Sequence, residues 1–184
     1  YCVMREGEKE EPLYLHCARA IDLTLEKGAH GLPLMGGGDW NDGMDRVGDG
    51  GGESVWLGML LLDVLSRFAP VAAQAGDAER AARYETEANA LRGALEEAGW
   101  DGAWYRRAYF GDGRSLGSRG GEACAIDLIA QAWAAMCGLS HAEEAFESAM
   151  ALLVDRENGV VRLLAPPFGQ PDAEVGYISN YLPG

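Results

Sequence analysis

Gly31-Leu-Pro-Leu-Met-Gly-Gly-Gly-Asp-Trp-Asn-Asp-Gly-Met44, continued by Asp45-Arg-Val-Gly48, Asp49, three glycines and Glu53-Ser-Val-Trp-Leu57, is the segment on which the reading of this chain turns. Eleven of the 26 glycines fall between Gly28 and Gly58, and no helical or strand period of apolar residues runs through the stretch, so it reads as a long loop. Both flanks are helical. Upstream, a helix is predicted from near Glu11, with Pro12 in its first turn, through Leu15, Ala18, Ile21, Leu23 and Leu25 to a stop at Gly28. Downstream, a second helix starts at Glu53 or Ser54 and carries Val55, Trp56, Met59, Leu60, Leu62, Val64, Leu65 and Phe68, with Pro70 expected to bend or break it. A loop of this length inside a helical chain is more often functional than not.

The pattern continues outward. A third helix runs from an Asp77 cap to about Ala98, with Glu79, Arg83, Glu87 and Arg92 on its polar face. Residues 99–121 change character: Trp100-Asp-Gly102 and Asp112-Gly113 bracket the aromatic run Trp104 to Phe110, which reads as a strand entering a tight turn, a small β-hairpin near 100–118. Its Arg106 and Arg107 alternate faces if extended, so at most one points into a cleft, and packing is the favoured reading for this segment. Helix resumes from about Glu122 to Cys137 and from Ser140 to Val154, and an irregular tail follows from Asp155 to Gly184, with Pro166, Pro167, Pro171 and Pro183. Trp56 and Trp133 fall within apolar helical stripes and are expected in the core. Helical hairpins are the unit, which gives an all-α architecture: a bundle, a solenoid or a closed double ring.

Composition narrows the function. With 184 residues, 48% of them hydrophobic, the chain can bury a sizeable core. Fifteen basic against 29 acidic side chains give a net charge of −14, and no basic run is present, so nucleic acid and anionic membrane surfaces are poor partners. The longest apolar run, Val55 to Leu62, is far short of the ~20 residues of a bilayer span, so no membrane helix is predicted. The first residues, Tyr1-Cys-Val-Met-Arg-Glu6, lack the pattern of a signal peptide and an initiator Met. Cys2, Cys17, Cys124 and Cys137 form no C-x-x-C pair, and the last three sit in helical patterns, which favours reduced packing cysteines in a cytoplasmic setting. His16, His30 and His141 are scattered, and no metal site is expected.

Chemistry concentrates in Asp39-Trp40-Asn41-Asp42. Carboxylates accept hydrogen bonds from sugar hydroxyls or donate a proton, an amide does both, and an indole face stacks on the C–H face of a pyranose. Other readings compete. A phosphate cradle would need a following Lys-Ser or Lys-Thr and a preceding strand. A calcium loop fails because the fifth and sixth positions fall on Gly43 and Met44. Turn formation by Asp and Gly alone is as good a reading from composition.

The Gly31–Met44 stretch with Gly52-Glu-Ser-Val-Trp-Leu57 resembles glycoside hydrolase family 94, and within it most the phosphorylase domain at the C-terminal end of cyclic β-1,2-glucan synthases. The resemblance continues through Trp100-Asp-Gly-Ala-Trp-Tyr-Arg-Arg-Ala108, Asp112-Gly113, Leu116-Gly-Ser118, Ile126-Asp-Leu-Ile-Ala-Gln-Ala-Trp133 and Val160-Val-Arg-Leu-Leu164, nearly the whole chain. It implies an (α/α)6 barrel, here partial, and an inverting phosphorolytic enzyme. By the same resemblance Asp42 is the general acid, protonating the glycosidic oxygen of a β-glucan oligosaccharide while inorganic phosphate attacks the anomeric carbon, releasing α-glucose 1-phosphate. Phosphate is co-substrate and no cofactor is implied. An anionic nucleophile needs no base carboxylate, so one catalytic carboxylate suffices. Asp42 must then hold its proton near neutral pH, aided by the Trp40 ring and by burial beneath sugar.

By the same resemblance Trp40 should line the sugar site beside the scissile bond. Asp39 and Asn41 are weaker candidates for sugar contact, Asp39 as a loop brace and Asn41 through backbone bonds. Arg46 meets a hydroxyl or, as the better expectation, pairs with Asp45 or Asp49. Glu53 is more readily placed at the start of the second helix, where its charge suits the dipole, than on sugar. Asp45 stands where relatives often carry Asn.

An (α/α)6 barrel holds about twelve helices, against five predicted here. Residues 1–184 are therefore expected to be part of one catalytic domain, truncated at both ends, with the phosphate site outside them, and with apolar helix faces that favour self-association or contact with the rest of the domain. For location, the resemblance adds the cytoplasmic part of an inner-membrane protein as the alternative to a free cytoplasmic one. Two other functions stay open: a catalytically silent carbohydrate-binding or scaffold segment, and an inverting β-glucan hydrolase with a base carboxylate not placed in this chain.

Overall fold

The fold is taken from a computed structural model, which describes residues 11–169 and 174–181; the readings for Cys2, the first residues, Pro171 and Pro183 lie outside them. Helix α1 spans Leu13–Leu23. Pro12, with ψ 142°, precedes the helix instead of entering its first turn, and the Thr24 hydroxyl closes the last turn on the Ile21 carbonyl, so the helix ends before Leu25 and Gly28. After the long loop, a two-residue strand β1 (Glu53–Ser54) leads into α2 (Val55–Gln74). Ser54 caps α2 by accepting the Leu57 N–H at 2.9 Å. Contrary to expectation, Pro70 does not end α2, which continues to Gln74. It lies on the exposed face one turn after exposed Ser66, where water can satisfy the carbonyl that the proline leaves unpaired.

Asp77 caps α3 (Ala78–Ala94), which widens into a π-helical turn over Leu95–Gly99. Helix α2 packs lengthwise on α3 and also on α4 (Leu128–Met136), which in turn packs on α5 (Ala142–Leu152). The main core lies between them. Leu65, Leu91, Leu95 and Met59 are fully buried there, each contributing roughly 1.5–3 kcal/mol. Trp56 and Trp133 meet edge to face at 5.8 Å. Among the described residues α2 alone has the length and apolar composition to cross a bilayer; its apolar face is the centre of this core.

The hairpin forms as β2 (Ala108–Tyr109) against β3 (Ser115–Leu116), in the register Ala108↔Leu116 and Tyr109↔Ser115. The sequence did not announce its third strand, β1, paired antiparallel to β2 through Glu53↔Tyr109. Glu53 is thus in a strand, not in the first turn of α2. Residues 122–125 are not helical: Cys124 has φ 45° and Ile126–Asp127 form β4, so α4 starts only at Leu128, capped by Asp127. The tail is more ordered than its prolines suggested, with β5 (Val154–Asp155) paired to β6 (Val160–Val161) and β7 (Leu164–Ala165) paired to β4. A second core, Met35, Met44, Val47, Ala108, Leu116, Phe168, Val175 and Ile178, fills the space beneath the glycine-rich loop.

Candidate active site

The glycine-rich loop is folded tightly onto itself. Met35 N–H donates to the Gly52 carbonyl at 2.9 Å and Gly52 N–H to the Gly48 carbonyl at 3.1 Å. A Cβ on Gly48 would lie 2.0 Å from the Gly36 carbonyl oxygen, so the approach of the two backbones admits only glycine. Met44 and Val47 drop fully buried into the second core and anchor the loop from below. Between these anchors, Asn41 accepts the Gly43 N–H at 3.1 Å and starts a single 3-10 turn, Asp42–Met44.

The four residues of the motif divide by direction. Asp39 turns inward, its side chain 0% exposed, and accepts a bidentate pair from the Arg107 guanidinium, Nη2–Oδ1 2.6 Å and Nη1–Oδ2 2.7 Å. It also accepts the Ser54 hydroxyl and, at 3.0 Å, the Asn41 N–H. Trp40 and Asp42 turn outward: Trp40 is 55% exposed and Asp42 is exposed. Asn41, half-buried, is occupied with the turn. The loop therefore presents an indole and a carboxyl to solvent from a base held by buried charge.

Arg107, on the hairpin, is the largest fully buried side chain, and its Nε lies 3.5 Å from Asp127 Oδ2. Asp127 also caps α4 by accepting the Ile129 N–H at 2.9 Å, and Ser54 caps α2. One guanidinium thus ties the motif to the N-termini of two core helices. Burial alone would raise the Asp39 carboxyl, but the bonds from Arg107, Ser54 and Asn41 outweigh it and hold it below the usual carboxylate range. Asp127 goes the other way: complete burial pushes it up, and Arg107 offsets this only in part. Two carboxylates share one guanidinium, and the better-bonded Asp39 is held down while Asp127 is pushed up.

The remaining expected site residues lie apart from sugar-facing geometry. Arg46 pairs at the surface with Asp45 at 3.8 Å and Asp49 at 3.5 Å. Glu53 is 2% exposed, and its carboxylate accepts the backbone N–H groups of His30 (3.0 Å) and Leu32 (3.1 Å) and pairs with the His30 ring. That corrects its place among substrate contacts: it holds the 28–32 turn and has no face toward solvent. Arg106 is spent on the Ala98 and Trp100 carbonyls and on Asp101.

Sequence reasoning missed three partners. Arg107 was one of an alternating pair, and nothing local links it to Asp39, 68 residues away. Asp127 carried a signal, an Asp directly before an apolar helix. Tyr177 heads a 3-10 turn (Tyr177–Asn180) packed on the Asp42 turn, and its backbone N–H donates to Asp45 Oδ1 at 3.1 Å. Beyond Ile178 and Tyr181 a groove of about 780 Å³ opens, bordered by Leu164, Phe168 and the bonded group Asp155, Asn158 and Arg162.

Residues 2–184 match the model of the glycosyl hydrolase 94 superfamily catalytic domain. The chain is 49% identical over 177 residues to the cyclic β-(1,2)-glucan synthase NdvB of Rhizobium meliloti (strain 1021), covering 94% of this chain and 6% of that protein. It is 38% identical over 175 residues to a 3-O-β-D-glucopyranosyl-β-D-glucuronide phosphorylase of Paenibacillus borealis, covering 94% of this chain and 23% of that one. Against the solabiose phosphorylase of the same organism the identity is 36% over 161 residues, 85% of this chain and 21% of the other. The chain thus spans less than a quarter of the length of each.

Proposed function

The chain belongs to the glycosyl hydrolase 94 superfamily, its five described helices being part of an (α/α)6 barrel, and on that premise we propose that it carries the general acid of an inverting β-glucoside phosphorylase. The observation that carries this reading is the mounting of Asp42: an outward carboxyl beside an outward indole, on a turn pinned by the buried Asp39–Arg107 pair. A group that must hand over a proton at a fixed point needs a rigid base and an open face.

The reaction follows from these groups. A glucosyl unit stacks on Trp40 with its glycosidic oxygen at Asp42. The Asp42 carboxyl gives its proton to that oxygen as the C1–O bond breaks, and a phosphate oxygen forms the new bond to C1 from the opposite face. The products are α-glucose 1-phosphate and a sugar shortened by one residue, and Asp42 is left as carboxylate until it regains a proton. The likeness to NdvB supports a β-1,2-glucan as substrate, and in the same proposal the chain works in the cytoplasm, free or as the cytoplasmic part of an inner-membrane protein. In the same proposal the rest of the catalytic domain supplies the phosphate site and covers the exposed Leu13, Leu23, Met136 and Phe146; alone, this chain would self-associate through them.

The test is α-glucose 1-phosphate release from β-1,2-glucooligosaccharides and phosphate by the full-length protein, with and without Asp42→Asn. The substitution is expected to abolish release. Release that survives it removes Asp42 as the acid, sugar binding without release makes the domain a silent binding module, and free glucose without phosphate makes it a hydrolase.

A further inference from the structure

The Asp42–Met44 turn is tied at both ends, and the second tie reaches across most of the chain. Asn41 closes the front by accepting the Gly43 N–H at 3.1 Å. Asp45 follows the last residue of the turn in helical geometry, φ −68° and ψ −8°, and its Oδ1 accepts the Tyr177 N–H at 3.1 Å, from a residue 132 positions away. The neighbouring backbone bond, from the Arg46 N–H to the Val175 carbonyl, is longer at 3.4 Å.

The fit around this tie leaves no room for a side chain. Gly176 has φ 116°, and a Cβ there would lie 2.2 Å from Asp45 Oδ1 and 2.7 Å from the Gly43 carbonyl oxygen. Only glycine lets the segment come so near. On the other side a Cβ on Gly43 would come 2.9 Å from the Ile178 Cβ. Beneath, Met44, Val47, Val175 and Ile178 are buried together in the second core. Apolar burial holds the turn down but is non-directional; its direction is left to the hydrogen bonds at its two ends.

We infer that Asp45 is a positioning residue for the acid: by holding the Tyr177 N–H it fixes the C-terminal end of the Asp42–Met44 turn, and with it the point from which Asp42 delivers its proton. This rests on the proposed phosphorolysis. Asp45 also lies 3.8 Å from the exposed Arg46 guanidinium, and the two contacts need different chemistry. The Tyr177 N–H needs only an acceptor oxygen, which an amide supplies, whereas the ion pair needs the charge, which an amide lacks. Trp40 lies on the other side of Asp42, next to Asp39 and its bond to Arg107. Loss of the Asp45 tie therefore misplaces the acid and leaves the stacking face where it was, so it acts on turnover and not on sugar binding.

The experiment compares Asp45→Ala and Asp45→Asn with wild type, all as full-length protein, in the phosphorolysis of a β-1,2-glucooligosaccharide. Asp45→Ala is expected to lose kcat on the order of tenfold with KM unchanged, and Asp45→Asn to recover most of that loss. Equal losses in both variants overturn the inference, because they assign the effect to the ion pair with Arg46. An unchanged kcat in Asp45→Ala, or a loss confined to KM, overturns it as well. Hydrogen exchange followed by mass spectrometry reads the tie without turnover: exchange at the Tyr177 amide should quicken in Asp45→Ala and stay slow in wild type and Asp45→Asn. Equal exchange in all three removes the bond, and exchange quickened along the whole chain in Asp45→Ala makes Asp45 a residue of general stability; either result overturns the inference. Wild-type protein that releases no α-glucose 1-phosphate overturns the functional reading and the role of Asp45 with it, whereas a phosphorolytic wild type matched by Asp45→Ala overturns that role alone.

Discussion

Truncation of Arg107 to alanine attacks the mounting of the motif without touching the groups it displays. Arg107 and Asp39 have side chains 1% and 0% exposed and meet through two contacts of 2.6 and 2.7 Å. Without the guanidinium, the Asp39 carboxylate keeps only the Ser54 hydroxyl and the Asn41 N–H, and Asp127 loses its cation at 3.5 Å. Removing one partner of a buried pair costs about 3–5 kcal/mol, because the other charge stays buried without compensation. The lower end is favoured here. Burial already pushes Asp127 up, which eases the cost of leaving it without the cation, so Asp39 carries most of the cost. Against the ~5–15 kcal/mol of a typical domain, ~3 kcal/mol is a large share. Urea denaturation followed by circular dichroism should show a lower midpoint at unchanged slope. In a double-mutant cycle with Asp39→Ala the two losses should fall short of additivity by about 2 kcal/mol. A loss for Arg107→Ala below ~1 kcal/mol, or additive losses, would refute the claim that the pair holds the loop.

Two further outcomes follow from the same geometry. Asp39, with its folded-state value lowered, contributes stability that is fully present above the unfolded carboxylate range near pH ~4 and is lost as the pH falls through the lowered value; the stability gap between wild type and Asp39→Asn should therefore narrow below that pH, and a gap constant from pH 7 to 2 would contradict it. Trp40→Ala, at a side chain 55% exposed, should leave stability within about 0.5 kcal/mol while raising KM for the oligosaccharide on the order of tenfold through lost stacking, and a protein with unchanged KM would put the sugar elsewhere.

What could be read from the chain, and what could not, divides along range of contact. The three long helices showed as apolar periods with local caps at Ser54 and Asp77, both decided within four residues of sequence. The hairpin showed because Gly113 and its aromatic flanks are neighbours in the chain. Errors arose where a partner lay far off. Glu53 looked like a helix-start residue because its strand partner Tyr109 and its backbone partners at His30 and Leu32 carry no local mark. Residues 122–125 looked helical because Ala123, Cys124 and Ala125 are apolar and small, yet Cys124 N–H is taken by the Pro166 carbonyl at 2.7 Å. In the candidate site, Trp40 and Asp42 stood out in the sequence as an indole and a carboxyl within one glycine-rich loop. Arg107, Asp127 and Tyr177 were not, since their roles exist only once the hairpin, the start of α4 and the tail converge on one loop.

The distribution of charge around Asp42 carries a further consequence for the proposed reaction. Each arginine described near the acid is already committed: Arg107 to Asp39 in the interior, Arg46 to Asp45 and Asp49, and Arg114 to Asp112 and Glu174. The chain as a whole carries a net charge of −14. A dianionic nucleophile approaching this surface meets carboxylates, and the paired cations at the rim offer it little, because exposed ion pairs contribute only ~0–1 kcal/mol and exchange with water. In the proposed reaction the acid stands on the glycine-rich loop, and the phosphate site is assigned to the rest of the catalytic domain. Such a division suits the chemistry. The proton donor is best kept away from fixed positive charge, which would strip it of its proton at neutral pH, whereas the phosphate needs that charge on the opposite face of the sugar.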